Sequence, residues 1–411
     1  MDARTRDRVA EDGQDGIDEL MRATDTVKPA ASATVSNGRF TLTPINRRRW
    51  NNFKANRRAY WSLFVFGILF GVSLIAEVVA NDRPFLIRYK GEWLFPVAVN
   101  YPESKFGGEL ATVNYKDTFI TDEIKQHGWM LWPPIRYSYD TIVSDHPRRV
   151  GPEGRCLGFP HPPFWTTKAT LCDDTSEDAR QRYTSPATAH WLGIDANGRD
   201  VVARVLYGFR TSVLFGLILT AIASVIGVTA GAVQGYFGGL VDLSLQRVLE
   251  VWSAIPSLFV LMVLSRVLAP GFWTLLFILL LFHWIFLVGV VRAEFLRARN
   301  FEYIRAARAL GLSDATIMYK HMLPNAMVAT LTFLPFKVSA AISSLTTLDF
   351  LGLGLPPGSA SLGELLLQAK SNLTEPHLAF AAFFSIAILL SLLIFIGEGV
   401  RDALDPRKTY R

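Results

Sequence analysis

FWTLLFILLLFHWIFLVGVV, residues 272–291, contains no Asp, Glu, Lys or Arg. As a helix its length matches a hydrocarbon core of about 30 Å, where every backbone N–H and C=O must find its partner inside the segment. The stretch reads as a membrane-crossing helix. Half of the 411 residues are hydrophobic, 19% are charged and the mean hydropathy is +0.24, too apolar for a soluble chain of this length. Five further segments carry the signal: 60–80, 212–233, 248–264 with Pro256 inside it, 326–347 and 378–396. The first lies too far into the chain to be a cleavable leader. The expected fold class is an all-α membrane protein with six transmembrane helices.

A net charge of +6 and a pI near 9.3 raise the question of nucleic acid. The cations instead gather beside the spans, where they act as topology signals. Arg47, Arg48, Arg49, Lys54, Arg57 and Arg58 precede the first; Arg401, Arg407, Lys408 and Arg411 follow the last; Arg292, Arg297, Arg299, Arg305, Arg308 and Lys320 lie around the loop before the fifth. With six spans all three clusters fall on one side. Both termini are therefore expected in the cytoplasm and residues 81–211 outside.

Four regions follow. Residues 1–40 lack an apolar period and read as a disordered cytoplasmic tail. Residues 41–80 hold a basic segment and the first helix, residues 81–211 an extracytoplasmic insertion with an amphipathic lead-in, and residues 212–411 a five-helix core. The insertion is rich in aromatics and proline, as in GWMLWPPIRYSYDTI (128–142), and is expected to fold; its rings either fill a small core or meet a partner or the membrane lipid. Cys156 and Cys172 both lie there, open as a disulfide or as two thiols. Gly227, Gly231, Gly235 and Gly239 recur every fourth residue, a face on which a second helix packs closely.

Catalytic and metal-binding constellations are missing: no H-E-x-x-H, no G-x-S-x-G and no Cys/His cluster at ligand spacing. GIDANGRD (193–200) has the frame of a phosphate loop, but Arg199 and Asp200 replace its Lys and Ser/Thr, so it reads as an Asn-Gly turn. No catalytic residue, metal site or cofactor is expected in this chain. Lys337, within the fifth span, either faces the translocation path or pairs for structure. His283 reads as a hydrogen-bonded packing residue.

Between the fourth and fifth spans lies EYIRAARALGLSDATIMYKHMLPN, residues 302–325. Good helix formers run to Gly311, suited to a left-handed C-terminal position; Ser313 and Asp314 begin a second helix, which Leu323-Pro324 is expected to end. Two short helices at an angle make a knob. Ala306-Ala307, three residues, Gly311 and then Leu323-Pro324 resemble the E-A-A…G…L-P coupling loop of ABC importer permeases, with Arg305 in place of its Glu and His321 in place of its Ile. HWLGIDANGRD (190–200) is similar to a signature of dipeptide and oligopeptide permeases, and LDFLGLGLPPGSASLGELL (348–366) resembles their outer loop. INRRRWNNFKANRRAYWSLFVFG (45–67), with residues 128–142, is similar to the Yej-type branch, associated with microcin C and oligopeptide uptake.

The resemblance implies a type I ABC importer permease in a bacterial inner membrane, carrying peptides by alternating access. It also implies a second homologous permease, separate ABC ATPase subunits that bind ATP and Mg, and a periplasmic solute-binding protein. Glu302, Arg305, Ala306, Ala307, Gly311, Leu323 and Pro324 are then the residues that meet the ATPase, within a coupling loop at 302–324. Dipeptide or nickel-complex transport is the alternative within the family, and a secondary transporter the alternative outside it.

Overall fold

The computed structural model describes residues 43–143, 149–150, 156–157, 163, 190–373 and 375–405. The tail expected over residues 1–40 lies outside the described residues, as does Cys172. The chain divides into two units, Met1–Arg48 and Arg49–Arg411. The described part of the first, residues 43–48, opens the helix α1 (Pro44–Ala55).

Next comes α2 (Arg57–Leu74), started by Asn56, whose side-chain oxygen accepts from the Ala59 amide at 3.3 Å. The expected first span is interrupted at Ile75, beyond which α3 (Ala76–Val79) completes it. A small sheet follows, with β1 (Leu86–Tyr89) between β2 (Glu92–Leu94) and β3 (Gly128–Leu131), antiparallel on both sides. This corrects the all-α expectation. Lys90 and Gly91 both take positive φ, +49° and +87°, the two-residue turn whose twist suits a hairpin.

One face of the sheet, with Ile87, Tyr89 and Leu94, packs on Ile120 and Ile124 of α4 (Thr118–His127) and on Phe106 and Tyr115. Part of the aromatic content therefore fills a small core. Burial pushes the Tyr115 hydroxyl up to about 12. The Tyr89 hydroxyl, donating at 2.8 Å, holds Glu123 below the usual carboxylate range. The other sheet face leaves Trp93 and Trp129 exposed, edge to face at 5.9 Å. Farther on, β4 (Arg149–Val150) pairs with β5 (Cys156–Leu157).

The helical part begins at α5 (Val201–Phe237), capped by Asp200, whose carboxylate accepts from the Ala203 amide at 2.9 Å. No helix boundary falls at residue 212. VVARVLYGFRTS contains no proline and buries Ala203, Tyr207 and Phe209, so the lead-in and the span are one helix of 37 residues. Then come α6 (Gly239–Ala254) and α7 (Ser257–Val267), bent by 72° at Ile255-Pro256, a sharper break than the kink expected of Pro256. Helices α8 (Phe272–His283) and α9 (Ile285–Ala298) together form an apolar helix of 27 residues.

The last elements are α10 (Glu302–Ala309), α11 (Asp314–Phe350), α12 (Leu362–Ser371) and α13 (Pro376–Leu404). Among the described residues, α5, α8 with α9, α11 and α13 are long and apolar enough to cross a membrane, and the bent α6–α7 pair adds a fifth if it is one span.

The glycine face of α5 seats α9. A Cβ on Gly227 would lie 2.6 Å from the Trp284 carbonyl oxygen, on Gly231 2.7 Å from that of Val288, and on Gly235 2.4 Å from the Phe295 Cβ. Only hydrogen fits at these crossings. Gly239 is not part of this face: the helix has ended at Phe237, and a Cβ there meets nothing within 4 Å. We predict that Gly231→Leu lowers stability by about 1–3 kcal/mol through overpacking, read as a lower melting temperature of the purified protein in detergent. Gly71→Leu, on α2 with open space around it, should leave it unchanged.

Candidate functional site

Helix α10 and the start of α11 form the knob expected at residues 302–324. Gly311 sits at φ +77° just beyond α10, a left-handed position open to glycine at no steric cost. The Ser313 hydroxyl oxygen then accepts from the Thr316 amide at 3.4 Å, starting α11. Ile304, Ala307, Ile317 and Met322 bury the root of the knob against Tyr236, Val291 and Phe295. Two polar contacts brace it: the Tyr236 hydroxyl donates to Asp314, and the Arg308 guanidinium lies 5.4 Å from the centre of the Tyr236 ring. The outward side is apolar at its tip, where Leu310 is 82% and Tyr319 78% exposed, with Ala306 beside them.

The expected sequence residues divide by environment. Glu302, Arg305, Ala306, Gly311 and Pro324 are exposed, Leu323 is half-buried and Ala307 is buried. Leu310 and Tyr319, the most exposed large hydrophobic side chains of the knob, stand outside the motif and went unnoticed in the sequence. In the sequence nothing sets them apart from Ile304, Leu312, Ile317 and Met322, other large apolar side chains of the loop.

Leu323-Pro324 does not end the second helix, a correction with a local cause. Proline removes an amide donor and crowds the carbonyl four residues back. Residues Ile317–Met322 widen into a π turn, which re-routes the hydrogen bonds, and the helix passes through the proline into the span. Knob and span are thus one helix, Asp314–Phe350.

Lys337 lies within this helix, half-buried, and its ammonium donates to the His283 carbonyl at 2.9 Å, where α8 breaks from α9. Trp252 and Trp284 both donate their indole N–H to the Leu281 carbonyl at 3.0 Å. Side chains thus reach the carbonyls in the last turn of α8.

At the opposite end of α11 a buried ionic cluster joins both signature loops. Arg204, fully buried, places Nη2 2.7 Å from Glu364 and 2.9 Å from the Ser359 carbonyl, with Nε 3.3 Å from Asp195. Asp195 also accepts from the amides of Asn197 and Arg199, so the Asn-Gly turn expected at 193–200 is an Asp-organised one. His190 Nδ1 lies 2.7 Å from Asp200. Asp349 accepts from the Leu355 amide at 2.7 Å and from the Ser361 hydroxyl. Gly354 and Gly363 press on Asp349 so closely that no Cβ fits at either. Sequence reasoning located the two loops but not Arg204, Glu364 or Asp349 as the groups that tie them. We predict that Arg204→Met, which strands two acids, lowers stability by about 3–5 kcal/mol. The readout is the yield and melting temperature of detergent-extracted protein, with partial recovery in Arg204→Met/Glu364→Gln.

Comparison with known proteins places this architecture. The model of the binding-protein-dependent transport system inner membrane component family matches residues 208–410. The peptidoglycan transport system permease protein YejE of Agrobacterium fabrum is 56% identical over 386 residues, 93% of this chain and 99% of that one. The inner membrane ABC transporter permease protein YejE of Escherichia coli is 55% identical over 370 residues, 89% and 98%. The dipeptide transport system permease protein DppC of Bacillus subtilis is 36% identical over 225 residues, 54% and 70%. With two relatives above half identity along almost their whole lengths, the chain belongs to the binding-protein-dependent inner membrane components, the permeases of ABC transporters.

Proposed function

We propose that this chain is the membrane permease of an ATP-driven importer that carries peptides, including those released from or destined for the cell wall, into the cytoplasm. The observation that carries the reading is the knob. Its root is packed, its apolar tip is bare, and it is one continuous helix with a span. Pressed by an ATPase, such an element moves the span as a lever. The relatives described as permeases for peptidoglycan and dipeptide transport support peptides as the substrate class, and oligopeptide antibiotics of the microcin C type fall within it.

In this reading the chain crosses the inner membrane six times, α2–α3 and the bent α6–α7 pair each counting as one crossing. Both termini are cytoplasmic. Residues 81–211 stand outside, the first eleven residues of α5 included, and residues 212–411 form the core. The exposed apolar residues of α6, among them Leu240, Leu243, Val248 and Val251, support a second permease as neighbour. ATP and Mg belong to separate ATPase subunits that meet Glu302, Arg305, Ala306, Ala307, Gly311, Leu323 and Pro324, and a solute-binding protein delivers peptide from the periplasm. Lys337 borders the path while holding the His283 carbonyl. The chain itself catalyses nothing.

Leu310→Asp is the direct test, because a residue so exposed contributes little to the fold. The expected outcome is a normal level of chain in the membrane, at least tenfold slower peptide uptake, and loss of the ATPase subunit on purification from mild detergent. Unchanged uptake with the ATPase still attached contradicts the coupling role.

A further inference from the structure

A cavity of about 310 Å³ opens where the end of α7, the start of α8, the loop after α11 and one face of α12 meet. That volume lies at the lower end of the roughly 300–1,000 Å³ typical of small-molecule sites, with room for the last residues of a peptide. Its floor is polar but already engaged. Asp349 holds the Leu355 amide and the Ser361 hydroxyl, and Glu364 holds Arg204. Gln368 bridges to the Ala196 amide at 3.1 Å.

Arg266 on the rim is different. It is exposed, and among the described residues nothing forms an ion pair or hydrogen bond with its guanidinium. It ends the otherwise apolar helix SLFVLMVLSRV, between the exposed Val263 and Val267. An arginine near the end of a membrane helix carries its guanidinium out to the polar side, where its donors are open to an anion. The planar fork of arginine fits a carboxylate through two parallel hydrogen bonds. Acids on the floor repel a second anion, which leaves the rim as its seat. A second cavity of about 490 Å³, lined by Met262, Val263, Val267, Leu351 and Leu353, shares Arg266. An anion held there has an apolar chamber beside it.

We propose that Arg266 binds the C-terminal carboxylate of the transported peptide, with the adjoining apolar cavity receiving its terminal side chain. The assignment rests on the peptide-importer reading above. It is a specificity site in the permease itself, separate from any selection made by a solute-binding protein.

The experiment measures uptake of radiolabelled trialanine and of its C-terminal amide by cells whose only peptide importer is the complete transporter. For Arg266→Gln we expect uptake of the free acid to fall at least tenfold relative to wild type, uptake of the amide to stay within twofold, and Arg266→Lys to keep at least a third of the free-acid rate. Equal losses for acid and amide, with a complex that still co-purifies, would assign Arg266 to structure or to a lipid headgroup phosphate and overturn the proposal. Unchanged uptake of both would overturn it too. If wild type takes up neither peptide, the peptide reading fails first, before any variant is compared, and this assignment falls with it.

Discussion

A buried backbone amide or carbonyl left without a partner is costly, and that constraint shapes how this chain treats three interruptions of its helices. Where α8 breaks from α9, Lys337, Trp252 and Trp284 take up the carbonyls of His283 and Leu281. Where Pro324 would break α11, a π turn carries the helix through. Where α11 ends, Asp349 collects the Leu355 amide and the Ser361 hydroxyl from the loop that follows. A charged residue in an apolar span thus has a structural duty before it has any transport duty.

These repairs keep α11 continuous from the knob to the cluster around Arg204 and Glu364. The two ends differ in kind. At the knob a packed root carries a bare apolar tip, an arrangement that offers contact without disturbing the fold. At the other end two signature loops are knotted by buried charges and by glycines with no room for a Cβ, an arrangement that resists movement within itself. Under the coupling role proposed above, a push on the tip is expected to move α11 and the loops at its far end.

Much of this was legible in the sequence, for identifiable reasons. Spans announce themselves because hydrocarbon demands long uncharged runs, and the turn at Gly311 because a left-handed residue after a helix favours glycine. The glycine spacing of α5 implied a close helix partner, and Gly227, Gly231 and Gly235 meet α9. What stayed hidden depends on distant partners. Pro324 reads as a stop unless the π turn before it is known, and Lys90-Gly91 gives little hint of the strands it joins. Arg204 looks like one more cation in an amphipathic helix until Asp195 and Glu364, nine residues before it and 160 after it, are brought to its side. The apolar tip of the knob was hidden for the opposite reason: exposure is a property of the fold, and Leu310 and Tyr319 could as well have been its core.

The central claim is that the tip around Leu310 touches an ATPase from the cytoplasmic side. A photo-reactive amino acid placed at position 310 in the intact transporter tests it directly. The account predicts one dominant crosslink, to the ATPase subunit, whose yield changes when ATP is trapped on the complex. Crosslinks to lipid alone or to a periplasmic protein, in a transporter that still hydrolyses ATP and imports peptide, would contradict both the coupling role and the orientation on which it depends.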